Sequence, residues 1–407
     1  MPEIYPFRGW YYNQSLINDL SSVVTPPYDN IAAEDEQNYR DASEFNFIHL
    51  ILNDAPGEAR YPAAARVLAD WTTRNILVRD ETPALYLLAQ TCRRDGREVT
   101  RTGVIAELQL EELGTGVLPH ERTFPKHILD RYRLMETTSA NLGQIFMSYR
   151  DPQRALGQVA AEQAGITPML DFYLDNIHFQ VWRITDLGAI DRIQTAVRRG
   201  PAIIADGHHR YKTALQFYHD HPNMAGADRV MVTLVNAYDP GMEILPIHRL
   251  VKEVTLPPAR LRQELAERFR LTEFDSVANL ADALETPATG QTRIGLHDCR
   301  NGASLLLERS AAPDTLDAVV LHGQILHDLL GIETGDSSAP DQVTYLRGTA
   351  ILDHMDRHGR DYDLVALLRT PDLDLVFRLA EQGRVMPQKT TFFFPKVYSG
   401  LIIRRFN

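Results

Sequence analysis

Cysteine is almost absent from this 407-residue chain: there are two, Cys92 and Cys299. That excludes a disulfide scaffold and a cysteine-built structural zinc site, and it suits a reducing cytoplasm. Positive charge is also short, with 42 Lys and Arg against 54 Asp and Glu, a net −12. Nucleic-acid binding as the main activity is disfavoured, because phosphate neutralisation needs a basic face. No run of about eighteen apolar residues occurs, so no membrane span is expected. No basic segment followed by an apolar run opens the chain, so no signal peptide is expected and the cytoplasm is the expected location. Repeats and low-complexity tracts are lacking.

Familiar nucleotide and hydrolase signatures are missing too. There is no G-x-x-x-x-G-K-[ST] loop, and Gly114 and Gly116 lack a third glycine. No G-x-S-x-G elbow exists. His120-Glu121 is not followed by a histidine at the metalloprotease spacing. His322 and His327 stand five apart, on different faces of a helix, and read as ordinary histidines.

What is present is an ordinary globular composition, 44% hydrophobic and 24% charged. At roughly 150 residues per domain the length implies two or three structural units. Expected strands are Phe45–Leu52, Ala84–Gln90, Gly103–Leu110, Ile145–Tyr149, Phe179–Ile184, Ala202–Ala205, Arg229–Asn236, Arg293–Leu296, Ser304–Leu307, Tyr362–Leu368 and Thr391–Phe394. Asp95-Gly96 signals a hairpin between the second and third of these. Expected helices are Pro62–Arg74, Ile190–Arg198, Tyr211–Tyr218, Pro258–Phe269, Val277–Leu284, Leu316–Leu330 and Asp374–Glu381. Clean β-α alternation is absent, so the expected class is α+β with a mixed sheet. Three parts are expected: residues 1–254, a smaller α/β module over 255–312, and a segment 313–407 that returns to the core.

The richest chemistry lies in Asp206-Gly207-His208-His209-Arg210, where an apolar strand ends and a helix begins. A first helical turn has unpaired N–H groups and partial positive charge, so it attracts anions. Gly207 lets backbone approach a ligand closely. His208, His209 and Arg210 add donors, and Arg210 can grip a phosphate with two hydrogen bonds. Asp206 can hold a metal ion or accept a proton; the bland alternative is a helix cap.

A second charged run, Leu118–Lys126, offers Glu121 as a general base or metal ligand and Lys126 as a phosphate partner. Against it stands a solvated, charge-mixed loop. The third run, Met386–Lys396, contains three consecutive aromatics that suit a strand buried on both faces, bracketed by Lys389 and Lys396. Thr25–Asp29 reads as a rigid turn with little beyond structure to report.

Together the segments PFRG (6–9), TPPYDNI (25–31), NFIHLIL (46–52), LPHERT (118–123), IADGHHRYKTAL (204–215) and MPQKTTFFFPK (386–396) resemble the domain-of-unknown-function family 1015. Thr390 stands where that family usually has serine. The D-G-H-H-R turn is also similar to that of free serine kinases of the ParB/sulfiredoxin-like superfamily. That resemblance implies a ParB/sulfiredoxin-like nucleotide-binding core and nucleotide phosphates at Gly207, His208, His209 and Arg210. It further implies Glu121 of Pro119-His120-Glu121 as the base on a serine hydroxyl. The implied donor is ATP, ADP or CTP with Mg²⁺, with Asp206 orienting the turn or binding the metal, and Lys126 and Lys389 as further phosphate candidates. The partner is a small molecule; neither DNA nor membrane is expected. Two alternatives remain open. One is a non-catalytic nucleotide-binding regulator. The other is a metal-dependent hydrolase using His120, Asp206, His208 and His209.

Overall fold

The computed structural model describes residues 1–94, 96–121, 125–286, 290–333, 342–348, 351–387 and 389–406; the side chains of 125–127 lie outside the description. The chain divides into two compact units. The first comprises residues 1–119, 123–242 and 395–407, and the second residues 120–122 and 243–394. The expected boundaries at 254 and 312 therefore shift. Residues 313–394 belong to the second unit because their strands Val343–Arg347 and Leu364–Leu368 both pair with Ile247–Val251. Only the chain from Pro395 onward returns to the first unit.

The first unit is built on a nine-stranded mixed sheet. Its order is Val117–Leu118, Ala202–Asp206, Ile145–Tyr149, Arg229–Asn236, Arg97–Gln109, Leu85–Arg94, Ile177–Ile184 and Leu170–Leu174, with Ile4–Tyr5 also paired to Arg97–Gln109. Two neighbouring pairs are parallel: Ala202–Asp206 with Val117–Leu118, and Arg229–Asn236 with Ile145–Tyr149. The rest are antiparallel, which is the α+β class that the pattern predicts. The hairpin closes at Arg94 opposite Arg97, with Gly96 at φ +76°. Helices Ala155–Glu162, Leu187–Val197 and His208–Asp220 bury Leu156, Val159, Ile190, Ile193, Tyr211 and Ala214 against one sheet face.

Opposite that core the sheet carries buried polar side chains. Ser148 and Thr233 are fully buried, and Gln144, Gln90 and Arg101 nearly so. Arg101 donates to Gln90 Oε1, and Gln90 Nε2 donates to the Lys396 carbonyl at 2.8 Å. Burying such groups costs stability unless they are hydrogen-bonded, so a polar sheet face points to purposes other than packing.

The second unit centres on a six-stranded antiparallel sheet, ordered Arg270–Phe274, Ala303–Ser310, Gln291–Asp298, Leu364–Leu368, Ile247–Val251 and Val343–Arg347. Successive leucines serve opposite faces. Leu305 and Leu307 join one cluster with Leu261, Leu265, Leu321 and Ile325, while Leu306 joins another with Leu280, Leu284 and Ile351. Apolar cover on both faces explains the unbroken runs of leucine in these strands.

Three local expectations are corrected, and one strand had no expectation. Phe45–Leu52 is not a strand: Ile48–Ile51 is a helical turn. The Asn46 side chain accepts from Ile48 N–H at 3.0 Å and donates to Ser22 O at 2.7 Å, fixing a turn that no sheet neighbour competes with. The expected helix Leu316–Leu330 splits into Asp317–Val320 and a π-helical stretch, Leu321–His327. Its wider turn carries buried His322 and leaves His327 exposed. The aromatic strand is Phe392–Phe394, which among the described residues pairs with Glu243–Leu245. Phe393 alone is fully buried, so one face is covered rather than two. Finally, Ile247–Val251, a central strand, was hidden among histidine and arginine: its five residues, His248 and Arg249 included, are all buried.

Candidate functional site

The Asp206–Arg210 turn begins with an irregularity. Ile204 pairs with Met147 but Asp206 pairs with Phe146, a bulge that leaves Ala205 without a partner. A bulge bends the strand and re-aims the side chains beyond it. Asp206 ends the strand, and its Oδ1 accepts from the Gly207 N–H at 2.9 Å. Gly207 is the N-cap of helix His208–Asp220, at φ +91°, and as a glycine it supplies no side-chain cap. The expected alternative, Asp206 as a helix cap, is therefore not what the structure shows. The amides of His208, His209 and Arg210 open the helix, the arrangement that favours an anion.

Charge gathers around this turn. Lys396 Nζ lies 3.1 Å from Asp206 Oδ2, and Arg210 Nη2 lies 3.6 Å from the same oxygen. Burial pushes the Asp206 carboxyl up, but the Lys396 ammonium, the Arg210 guanidinium and the hydrogen bond from Lys396 outweigh it. The group is held well below the usual carboxylate range. Arg210 is buried. Burial works against its charge, yet the nearby Asp29, Asp206 and Tyr28 raise its pKa. Its Nη1 donates to the Gln144 carbonyl. Its Nε and Nη2 are buried with no hydrogen-bond partner among the described residues. A Cβ on Gly207 would sit 2.9 Å from Arg210 Nε, so only glycine leaves the guanidinium where it is.

Arg210 also lines a pocket with Tyr28, Arg131, Thr213, Asn141 and Ser399, backed by Ile51, Leu134 and Met135. Arg131 stacks over the Tyr28 ring at 4.1 Å, and Tyr28 is pushed up to about 12, chiefly by burial. Tyr28 and Asp29 thus belong to the surroundings of the turn, which their sequence context, a proline-rich turn, did not disclose. The only available signal was an ionisable pair directly after Pro26-Pro27.

In the second unit, two other motifs meet. Met386 N–H donates to the His120 carbonyl at 2.8 Å, and Glu121 forms a β-bridge to Met386. The His120 ring, 1% exposed, contacts Thr391 Oγ1 at 2.9 Å, and Thr391 reaches Glu121 Oε1 at 3.5 Å. Thus Glu121, offered as the base, sits beside a hydroxyl and a histidine on the frame of the M-P-Q-K-T-T run. Lys389 belongs to this unit as well, its Nζ 4.6 Å from the Tyr345 ring centre. The lysine at the Asp206 turn is Lys396, not Lys389. Lys126 falls on helix Pro125–Thr138, but its side chain lies outside the described residues.

For a metal the residues fit poorly. Among the described residues no group of three His, Cys, Asp or Glu side chains can hold an ion. Asp206 already faces the Lys396 ammonium, with which a cation would have to compete. Of the hydrolase constellation, His120 belongs to the second unit and Asp206, His208 and His209 to the first. For an oxyanion the chemistry of the turn is better suited: a buried guanidinium with two donors unpartnered among the described residues, a helix N-terminus, and a glycine that admits close approach.

Fold and site define an α+β protein in which a buried arginine stands at a strand–glycine–helix turn. Residues 4–320 match the family described as Protein of unknown function (DUF1015), and the chain belongs to that family. No curated protein matches the chain. Among solved structures it is similar to a free serine kinase variant in complex with ADP, at 10% identity and TM-score 0.38, over 68% of this chain and 84% of that one. It is also similar to a conserved hypothetical protein from Pyrococcus furiosus (13% identity, TM-score 0.34, 69% and 89% covered). A third similar structure is SbnI with C-terminal truncation from Staphylococcus aureus (11%, 0.34, 70% and 82%). No helix among the described residues is long and apolar enough to cross a membrane.

Proposed function

We propose that this protein is a phosphotransferase. It binds a nucleoside phosphate at the Asp206–Arg210 turn and passes a phosphoryl group to a small hydroxylated metabolite, free serine being the first acceptor to test. The observation that carries the reading is Arg210, a buried guanidinium whose Nε and Nη2 have no hydrogen-bond partner among the described residues. Buried donors left unmade are costly, and a fork of two matches a phosphate. The amides of the first helical turn supply further donors, and Gly207 brings the backbone close. The turn's resemblance to ParB/sulfiredoxin-like serine kinases supports the same reading.

Phosphoryl transfer asks for positioning and charge neutralisation more than for covalent chemistry. In this proposal Arg210, with the amides of His208 and His209, holds the donor phosphates. Asp206 fixes the turn through Gly207 N–H and Lys396. Glu121 takes the proton of the acceptor hydroxyl as its oxygen bonds to phosphorus and the phosphoanhydride bond breaks. That role of Glu121 rests on its P-H-E motif.

Calorimetric titration with ATP, ADP and CTP, each with and without Mg²⁺, tests the site. Wild type should bind at least one of them, and folded Arg210→Ala should lose about tenfold or more in affinity. Equal affinity in the variant would remove the phosphate site from this turn. Glu121→Gln should bind nucleotide as wild type does and transfer nothing to serine. Binding without transfer to any hydroxyl by wild type would instead describe a nucleotide-binding regulator.

A further inference from the structure

The second unit gathers positive charge that the turn at Asp206 does not use. Arg249 is fully buried on the central strand Ile247–Val251. Among the described residues its guanidinium donates to neutral acceptors: Nε to His322 Nε2 at 2.9 Å, Nη1 to the Ile247 carbonyl, and Nη2 to the Lys389 carbonyl at 3.0 Å. The guanidinium lies 5.2 Å from the Tyr345 ring centre, and Lys389 Nζ lies 4.6 Å from that same centre. On the same strand as Tyr345, Arg347 stacks at 4.3 Å over Phe392. Two cations thus share one aromatic ring and a third stands two residues along the strand.

Such a gathering is unfavourable for folding alone, because like charges repel and burying a guanidinium is expensive. Lys389 feels both arginines as repulsive and Glu121 as its attractive neighbour. The backbone bears the same mark: Lys389 is a non-glycine residue at φ +54°, held there by the Arg249 hydrogen bond to its carbonyl. Arg249 therefore acts as a positioning residue for the exposed Lys389, and the exposed Arg347 stands on the neighbouring strand, paired with Ile247.

We propose that Lys389 and Arg347, positioned by Arg249, form an oxyanion site in the second unit that takes the carboxylate or phosphate group of a small molecule. This rests on the phosphotransferase reading for one step: the anion belongs to the acceptor. Glu121, near enough to act on both Lys389 and Arg249, would meet the hydroxyl of the same molecule. The substrate class is then a hydroxylated acid rather than a neutral alcohol.

Calorimetry on the full chain tests this without turnover, using glycerate, glycerol 3-phosphate and uncharged glycerol as probes. Wild type should bind glycerate or glycerol 3-phosphate, whichever oxyanion the site takes, and not glycerol. The double variant Lys389→Met/Arg347→Gln, checked by its melting curve, should lose about tenfold or more of that affinity. Its affinity for ADP should stay as in wild type. Arg210→Ala should show the reverse, normal binding of the acid and weak ADP, so the two sites fail separately. Should the double variant fail to fold, the single Arg347→Gln change must still weaken the acid. The proposal is overturned if neither acid binds wild type, if glycerol binds as well as they do, or if the folded variants bind the acid unchanged. A loss of ADP binding in the double variant would overturn the acceptor assignment and give these charges to the nucleotide.

Discussion

Lys396 and Asp206, far apart in sequence, form an ion pair of 3.1 Å at the head of helix His208–Asp220. The lysine comes from the last segment of the chain, whose carbonyl at the same residue is held by Gln90. The pair neutralises the one carboxylate in the D-G-H-H-R turn. In the proposed site, Arg210 and the helix N-terminus then face the donor phosphates.

Replacing Arg210 by lysine keeps the charge and removes the fork. Nε and Nη2, the two donors without hydrogen-bond partners among the described residues, cannot both be replaced by one ammonium. Arg210→Lys should weaken ADP binding by about tenfold or more while the protein still melts cooperatively. Calorimetry beside a melting curve checks it; full affinity in the lysine variant would mean that charge alone suffices.

Gly207→Ala should damage the turn twice. The backbone sits at φ +91°, and the new Cβ would press on Arg210 Nε at 2.9 Å. The conformational part alone should cost about 1–2 kcal/mol. A lower melting temperature together with weaker ADP binding is expected, and a variant as stable as wild type would show that the turn can relax.

Acid should weaken the first unit through Asp206. Its folded-state pKa lies below the unfolded value, so its contribution is present above the ordinary carboxylate range and is lost as pH falls through the depressed value. Lys396→Met should flatten this part of the stability curve, and Lys389→Met should leave it alone. Thermal melts from neutral pH down to about pH 3 follow it. Equal slopes in wild type and Lys396→Met would contradict the assigned pair.

The second unit has its own acid sensitivity. His322 is pushed down to about 3, by burial and then by Arg249, from an ordinary value of 6.5. Between those two values the unfolded chain takes a proton that the folded one refuses. Stability from the neutral ring is therefore complete above about 6.5 and declines as pH falls toward about 3. His248, pushed down to about 4 mainly by burial, adds to the same slope. His322→Gln should make the decline shallower, because the amide oxygen can accept from Arg249 without titrating. Chemical denaturation at a series of pH values measures it, and an unchanged slope would refute the role of His322.

Much of the fold was legible because local chemistry and tertiary context agreed. Arg229–Asn236 and Val277–Leu284 match their expected bounds, since an apolar β-branched run and a serine-capped amphipathic stretch each have one good conformation. Legibility failed where context decided. Phe45–Leu52 has strand composition, yet Asn46 fastens it into a helical turn. Ile247–Val251 has two basic residues that argue against a central strand, yet their polar atoms find partners in His322, Gly348 and Leu368.

The sequence by itself determined the class, the family resemblance and the strand–glycine–helix turn, because a strand end, a glycine and a helix start are local matters. Which charges surround that turn was decided only by the tertiary structure. Lys389 and Lys396 look equivalent along the chain, but sheet pairing through Phe392–Phe394 and the return of the chain at Pro395 send them to different units. The same pairing logic put Tyr28 and Asp29 beside Arg210 and gathered Arg249, Arg347 and Lys389 around Tyr345 and Phe392. Electrostatic neighbours are set by distances in space. A linear pattern fixes those distances only within a turn or two of its own helix or strand.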